Sequence, residues 1–310
     1  MNSLVSVIIP TYKGSELIKR AVESVLNQSY KTLEIIIVDD NGKGTLEQIS
    51  TEKYLEKYIR NKQITYLTHN KNQNGSAARN TGARFAKGEY ITLLDDDDEY
   101  LPDKIEMQVK CLETLPDDFG MAYCGIELNY ESFKVIKIPK TSGDLFRDLL
   151  FHSIVIGSDT LMVKRCCYWD IGGFDETFKR HQDFEFTARI AKKWKIQAVS
   201  EVGVMSYELN RNNPSEHSIK VSHRLHYVTK MLPYTNEMTN RSVRDFISCN
   251  FIMLQGRNLR SFKILMAFKQ CKKEVEKILP DYNLIDFFRS ILIVEKNKFV
   301  KKSKIIKVKL

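Results

Sequence analysis

Four consecutive aspartates, Asp95, Asp96, Asp97 and Asp98, follow the apolar run GEYITLL where that run ends. Neighbouring carboxylates repel one another, and two of them about 6 Å apart at an effective dielectric of about 20 cost roughly 3 kcal/mol. The alternating pair Asp95 and Asp97 suits a hard divalent cation, because Mg²⁺ and Mn²⁺ take oxygen ligands and keep positions open for water and phosphate. A solvated turn whose last acid caps the helix entered at Pro102 explains the same residues without a cation.

Two other segments carry residues that could bind a nucleotide. Asp39 and Asp40 end the apolar run LEIIIVD, where an acid can accept a hydrogen bond from a ribose or a nucleobase, or can form a turn. Arg79 lies early in a helix of small residues after an Asn-Gly turn, a setting that favours phosphate, although a solubilising surface arginine is the alternative. Both GxGxxG and GxxxxGK[ST] are absent, so metal and side chains would hold any phosphate.

A fourth candidate, Asp183, begins the predicted helix DFEFTARIAKKW after the glycine turn of WDIGGFDE. The start of a helix stabilises an ionised carboxylate, and such a group could act as a general base. An ordinary helix-capping aspartate is the alternative interpretation.

Alternating strands and helices must position these residues. Residues 4–10 and 33–39 are near-continuous β-branched runs, as in parallel strands covered on both faces, and 63–68 and 89–94 are further strands. Between them the pattern predicts helices near 17–26, 45–60 and 75–87. Such a series predicts an open, mostly parallel sheet, in which ligands bind beyond the carboxyl ends of the strands. After residue 100 we expect strands near 119–128, 133–138 and 154–163, and helices from about 216.

Composition indicates a globular cytoplasmic protein. With 310 residues, 43% of them hydrophobic, the chain can bury a full core. Its six cysteines form no CxxC pair, which favours reduced thiols and argues against a structural zinc site. The first apolar stretch breaks at Pro10, too early for a signal peptide, and no run reaches the roughly 18 apolar residues of a membrane span.

The net charge of +9 belongs to the last third of the chain. Residues 206–310 contain 21 Lys and Arg against 9 Asp and Glu, whereas residues 1–205 contain 27 against 30. A main domain without excess basic charge argues against a nucleic-acid partner. Residues 296–310 carry seven lysines among apolar residues, which suits peripheral binding to an anionic membrane on its inner face. A solubilising, partly frayed terminus is the alternative.

Three segments together resemble a known family. VSVIIPTYKGSELIKRAVESVLNQSYKTLEIIIVDD, NGSAARNTGARFAKGEYITLLDDDDE and GGFDETFKRHQDFEFTAR occur in the order and approximate spacing of the family 2 glycosyltransferases. The resemblance covers residues 4 to about 210. It implies the α/β GT-A fold, which is Rossmann-like with a mostly parallel central sheet flanked by helices. The expected organisation is a nucleotide-sugar transferase domain over 1–215 and a helical, basic region over 216–310.

The resemblance also implies a reaction. It predicts a metal-dependent, inverting transfer of a sugar from a nucleotide diphosphate donor, expected to be a UDP-sugar, to a hydroxyl of a glycan or lipid-linked acceptor. The implied cofactor is Mn²⁺ or Mg²⁺, with Asp97 as its direct ligand and Asp95 nearer the ribose, and the implied base is Asp183. A loop histidine beyond the core, His217, is a further metal or phosphate contact, or an ordinary loop residue. The implied nucleotide-binding residues are Pro10, Thr11, Tyr12, Asp39, Asp40, Arg79, Asp95 and Asp96.

Two departures from the family pattern stand out: Gln182 precedes Asp183 where Glu is frequent, and DDNG replaces the usual DDGS. Two alternative functions stay open. A nucleotidyltransferase would release pyrophosphate, and the lack of a loop rich in glycine and arginine after the first strand argues against it. A nonenzymatic nucleotide-binding protein would transfer nothing, and the retained acids argue against that. Assembly of a bacterial surface polysaccharide, such as a capsule or another cell-envelope glycan, is the expected setting.

Overall fold

The computed structural model describes residues 2–207, 216–255, 259, 263–299 and 303–309. They form two compact units, the first from the described parts of 1–145, 156–210 and 302–310, the second from those of 146–155 and 211–301. The predicted domain boundary falls after residue 215, which lies outside the described residues, and stays a prediction.

The centre of the first unit is a parallel sheet in the order β4-β1-β2-β3. Its strands are β1 (Val5–Thr11), β2 (Leu33–Asp39), β3 (Thr65–Thr68) and β4 (Tyr90–Leu93). The β-branched residues of β1 and β2 are almost all buried, as expected of parallel strands covered on both faces. The predicted strand-and-helix series and its parallel pairing are therefore confirmed.

The helices between these strands begin where the local sequence allows. They are α1 (Ile18–Leu26), α2 (Leu46–Arg60) and α3 (Gly75–Phe85). The side chain of Thr45 accepts a hydrogen bond from the N–H of Gln48 at the start of α2, and Asn74 does the same for two N–H groups of α3. Helix α1 buries most of the apolar residues whose 3.6-residue spacing predicted it.

Beyond β4 the sheet continues with antiparallel neighbours in the order β8, β6, β7 and β10, while β9 pairs with β5 and with β6. These strands are β5 (Glu99–Tyr100), β6 (Phe119–Asn129), β7 (Phe133–Pro139), β8 (Leu161–Lys164), β9 (Lys195–Tyr207) and β10 (Ser303–Lys309). The strand predicted near 154–163 begins only at Leu161, because Ser158–Thr160 form a 3₁₀ turn. The helices of this part are α4 (Lys104–Glu113), α6 (Arg165–Asp170) and α7 (Gln182–Lys193), and α5 (Phe146–Leu150) belongs to the second unit.

The second unit is helical, as predicted for the residues after 216. Besides α5 it contains α8 (His217–Met231), α9 (Asn240–Ile252), α10 (Ile264–Val275) and α11 (Leu284–Phe299). Tyr227, Phe246, Phe251 and Phe287 are buried and form its core with other apolar residues.

The last described segment corrects the expectation of a helical or frayed terminus. Ser303–Lys309 form β10, which pairs antiparallel with β7, and Ile306 lies opposite Ile136. The β-branched residues of KIIKVK favour a strand, and lysines are common on the last strand of a sheet, where they discourage pairing with another chain. No helix in the described parts of the chain is long and apolar enough to cross a membrane. The predicted membrane contact of the basic tail stays a prediction.

Candidate functional site

The four aspartates form a tight turn at the carboxyl end of β4, which we call the acidic turn (Asp95–Asp98). The N–H of Asp98 donates to the carbonyl oxygen of Asp95 over 3.2 Å and closes the turn. Asp95 and Asp97 are partly exposed, whereas Asp96 and Asp98 are buried. The capping alternative is wrong, because α4 begins at Lys104 and Asp103 occupies its cap position.

The buried acid Asp96 ties the acidic turn to the end of β1. Its Oδ2 accepts a hydrogen bond of 2.6 Å from Thr11 Oγ1 and one of 3.3 Å from the N–H of Tyr12. A Cβ on Gly14 would lie only 1.8 Å from the same oxygen, so glycine is required for this close approach. Asp96 thus supports the predicted nucleoside-binding segment, and its predicted contact with the nucleotide itself stays a prediction.

Arg79 connects the acidic turn to the start of α7. Its Nη2 donates to Asp95 Oδ1 over 2.6 Å, and its Nη1 donates to Gln182 Oε1 over 2.7 Å. The guanidinium is buried, and its Nε has no hydrogen-bond partner among the described residues. Arg79 is therefore the residue through which α3, β4 and α7 share one polar site.

Asp183 lies beside this bridge, in the first turn of α7. It is the second residue of the helix, and His181 occupies the cap position, so the predicted capping alternative is wrong. Although the residue keeps some exposure, its surroundings desolvate the carboxyl group and raise its pKa to about 6. The nearby positive charge of Arg79 acts in the opposite direction and limits the rise in the pKa.

A cavity of about 220 Å³ joins these groups. It is lined by Arg79, Asp95, Ser158, Lys179, Arg180, His181, Gln182 and Asp183. The structure thus brings together three predicted site residues from distant parts of the sequence: Arg79, Asp95 and Asp183. Lys179 and Arg180 add positive charge to the lining of this cavity.

Asp40 is fully bonded within the protein. Its Oδ1 accepts from His69 Nδ1 and from the N–H of Gln73, both over 2.7 Å. Its Oδ2 accepts from Asn72 Nδ2 and from the N–H of Asn74, both over 2.9 Å. A carboxylate offers about four lone-pair positions, and all four are used here. Asp40 therefore fixes the segment that leads into α3, and its predicted contact with a base stays a prediction.

The other predicted nucleoside residues differ in exposure. Asp39 is fully buried, and this burial raises the pKa of its carboxyl group. The carboxylate accepts a hydrogen bond of 2.6 Å from the hydroxyl of Tyr66 and one of 2.9 Å from the N–H of Asn41. Tyr12, directly after β1, is 41% exposed, and Nζ of Lys13 lies 5.3 Å from the centre of its ring. Pro10 is partly buried within β1.

Asp95 and Asp97 are the two acids of the acidic turn that keep some exposure to solvent. Over 2–207, 216–255, 259, 263–299 and 303–309, no group of three or more His, Cys, Asp and Glu side chains is arranged to hold a metal ion. Two neighbouring carboxylates fit a Mn²⁺ or Mg²⁺ ion that takes its remaining ligands from a diphosphate and water. His217 begins α8 in the second unit, and its predicted metal contact stays a prediction.

Asp159, a buried acid of the 3₁₀ turn before β8, also contacts the acidic turn, although no sequence motif predicts it. Its Oδ1 accepts a 2.6 Å hydrogen bond from the N–H of Asp95. Burial and the neighbouring acids Asp95 and Asp98 raise its pKa well above the ordinary value. Its only signal in the sequence is an acid directly before the apolar run TLMV, which no short motif distinguishes from a loop residue.

A family model described as "Glycosyl transferase family 2" matches residues 6–163, which is half of the chain. The chain belongs to the family 2 glycosyltransferases. This membership confirms the predicted class of enzyme, a transferase, at the level of the family.

Among relatives, the uncharacterized glycosyltransferase RP339 of Rickettsia prowazekii is 34% identical over 210 residues, covering 66% of this chain and 63% of its own length. The amylovoran biosynthesis glycosyltransferase AmsB of Erwinia amylovora is 26% identical over 274 residues, covering 85% and 88%. The chain thus spans less than two thirds of the length of RP339 but most of AmsB.

Two solved structures have a similar fold. The structure of S. aureus TarS 1–349 in complex with UDP-GlcNAc has a TM-score of 0.63 at 15% identity, over 95% of this chain and 91% of that one. The mannosyltransferase PcManGT from Pyrobaculum calidifontis, in complex with GDP-Man and Mn²⁺, has a TM-score of 0.57 at 16% identity, over 96% and 80%. These likenesses confirm the predicted GT-A fold for this family 2 member.

Proposed function

We propose that this protein transfers a sugar from a UDP-sugar to a hydroxyl group of a glycan or lipid-linked acceptor, with inversion at the anomeric carbon. The observation that carries the proposal is the shared cavity of Asp183 and Asp95, bridged through Arg79 and Gln182. A base and a donor-binding acid in one cavity can hold the two reactants in the geometry that a direct displacement needs.

The base in this proposal is Asp183. With a pKa raised to about 6, its carboxylate is ionised at neutral pH and more basic than an ordinary aspartate. It accepts the proton of the acceptor hydroxyl while that oxygen attacks the anomeric carbon and the bond to the diphosphate breaks. Because no enzyme group forms a bond to the sugar, one displacement occurs and the configuration inverts.

Arg79 contributes to donor binding by holding other side chains of the site in place. It holds Asp95 and the first turn of α7 at fixed separation, so that the donor acid and the base keep their relative placement. Loss of this bridge would separate the two halves of the cavity without removing either carboxylate.

Asp97, with Asp95 nearer the ribose, would hold Mn²⁺ or Mg²⁺, and His217 is proposed as a further contact. When bound, the cation stabilises the negative charge that develops on the diphosphate leaving group. The fit of the two partly exposed carboxylates supports this, as does the complex of PcManGT with GDP-Man and Mn²⁺.

The nucleoside pocket is proposed to lie along Pro10, Thr11 and Tyr12, with the buried acid Asp40 next to the base and Asp39 beside it. The exposed ring of Tyr12 supports stacking against a base, and the bonded carboxylate of Asp40 shapes the pocket wall. A UDP-sugar donor is supported by the complexes of TarS 1–349 with UDP-GlcNAc and with UDP.

The setting is proposed to be the synthesis of a bacterial surface polysaccharide. The name of AmsB, an amylovoran biosynthesis glycosyltransferase, supports this setting because the alignment covers most of both chains. A cytoplasmic site of action on the inner face of the membrane would bring a lipid-linked acceptor to the enzyme, and the lysines of β10 support such a contact.

A screen of donors tests the function. Thermal shift and nucleotide release are measured over UDP-, GDP- and dTDP-sugars with and without Mn²⁺, and UDP-sugars should stabilise the protein only with the cation. Asp97→Asn should abolish the stabilisation that UDP-sugars give in the presence of Mn²⁺. Asp117 is an exposed acid before β6, and Asp117→Asn should keep this stabilisation. No response to any donor would contradict the proposal. Pyrophosphate release would instead favour a nucleotidyltransferase, and donor binding without transfer or hydrolysis a nonenzymatic binding protein.

A further inference from the structure

Asp159 continues the pairing of β4 with β8 by means of its side chain. The two strands are antiparallel, with Thr92 opposite Met162, and the same register carried forward places Asp159 opposite Asp95. Backbone pairing stops before this point because Ser158–Thr160 turn into a 3₁₀ helix. In its place, Asp159 Oδ1 accepts the hydrogen bond from the N–H of Asp95 over 2.6 Å.

The chain around Asp159 is fixed by buried side chains from β4 and α4. Gln108 Nε2 donates to the carbonyl oxygen of Thr160 over 2.8 Å. The carbonyl oxygen of Leu161 accepts from Thr92 Oγ1 over 2.7 Å and from Lys104 Nζ over 3.3 Å. Because these donors and Asp159 itself are buried, the carboxyl group is held at a defined position.

The position of the Asp95 peptide matters for the whole acidic turn. Asp95 is the first residue of the turn, and its carbonyl oxygen accepts the bond that closes it. A shift of the Asp95 backbone would therefore also shift Asp97, two residues later. Arg79 holds only the side chain of Asp95, so Asp159 is the group that holds its backbone N–H.

We propose that Asp159 is a positioning residue whose carboxyl oxygen fixes the acidic turn, so that Asp95 and Asp97 meet the donor diphosphate and its cation. This inference rests on the proposed function. It assigns a role to an acid that neither binds the donor nor takes part in the proton transfer.

Two variants separate the hydrogen bond from the charge. Asp159→Ala removes the acceptor, and we expect the affinity for UDP in the presence of Mn²⁺ to fall about tenfold, the effect of one buried hydrogen bond. Asp159→Asn keeps an oxygen in place and should bind UDP with Mn²⁺ within about twofold of the wild-type protein. Isothermal titration calorimetry with UDP, and with uridine as a probe without phosphate, measures both, and uridine binding should not change.

Leu55→Ala is the matched control, because it removes a buried side chain of α2 that contributes to the core. It should lower the melting temperature without changing the affinity for UDP with Mn²⁺. If Asp159→Ala does not fold, Asp159→Ser replaces it, since a serine hydroxyl is too short to reach the N–H of Asp95.

The inference is overturned if Asp159→Ala binds UDP with Mn²⁺ as tightly as the wild-type protein, or if Asp159→Asn loses as much affinity as Asp159→Ala. It is also overturned if uridine binding falls in parallel, because the effect would then be a general loss of structure. Failure of the wild-type protein to bind UDP with Mn²⁺ would instead refute the proposed function itself.

Discussion

Replacing Asp183 with asparagine removes a proton acceptor while keeping the size of the side chain. General-base catalysis contributes about 10²- to 10⁴-fold to a rate, so transfer by Asp183→Asn should fall by that factor while donor binding persists. In the wild-type protein the pKa of about 6 predicts a transfer rate that falls about tenfold per pH unit below pH 6. The variant should lose this dependence on pH.

The same substitution should stabilise the fold at neutral pH. A raised pKa means that the folded protein disfavours the ionised carboxylate, so stability is greatest below the unfolded pKa and declines as pH rises through about 6. A rise from 3.8 to about 6 corresponds to about 3 kcal/mol, and solvent at the partly exposed side chain reduces this to roughly 1–2 kcal/mol. Urea unfolding at pH 7.5 should therefore show a more stable variant, and at pH 4 the difference should shrink.

Transfer assays from pH 5 to 8 test the predicted rates of the wild-type protein and of Asp183→Asn. Urea unfolding of the same preparations tests the predicted difference in stability. Asp117→Asn serves as the exposed control, for which neither the rate nor the stability should change. A folded Asp183→Asn that retains more than about a tenth of the wild-type rate would refute the role of Asp183 as base. A wild-type rate that does not change between pH 5 and 7 would show that transfer does not depend on a carboxylate with a pKa of about 6.

Three further perturbations test other parts of the site and the chain. Arg79→Met should lower the free energy of unfolding by about 2–3 kcal/mol and weaken UDP binding, because Asp95 loses its buried partner. Urea unfolding measures the stability and calorimetry the affinity. An unchanged affinity for UDP would contradict the role of Arg79 in holding Asp95. Asp40→Asn should lower the free energy of unfolding by about 2–3 kcal/mol, because the amide nitrogen cannot accept the two hydrogen bonds that Oδ2 receives. A decrease of less than about 0.5 kcal/mol in urea unfolding would contradict this. Lys304→Glu combined with Lys307→Glu reverses two exposed charges of β10 and should reduce flotation with anionic liposomes, whereas flotation equal to wild type would remove the membrane proposal.

The parts of the fold that the sequence predicts are those with local signals. The β-branched runs of β1 and β2 and the 3.6-residue spacing of α1 reflect burial on both faces or on one face, and both patterns depend only on neighbouring residues. The acidic turn was predictable for the same reason, since the apolar residues of β4 and Leu94 end where Asp95 begins.

The parts that the sequence does not predict depend on contacts between distant residues. Asp159 reaches Asp95 only because β8 pairs antiparallel with β4, and that register has no local signal across 64 residues of chain. The four bonds to Asp40 likewise come from the 69–74 segment, after β3. The lysine-rich sequence of β10 is typical of a charged tail, and only its pairing with β7 identifies it as a strand.

Sugar transfer itself is most directly tested by following a UDP-sugar in the presence of Mn²⁺ and candidate acceptors by ¹H NMR. We expect UDP to appear together with a glycosidic product whose anomeric configuration is opposite to that of the donor. With Asp183→Asn both should form at least about a hundredfold more slowly. Pyrophosphate as the product, or a product that keeps the configuration of the donor, would contradict inverting glycosyl transfer at this site.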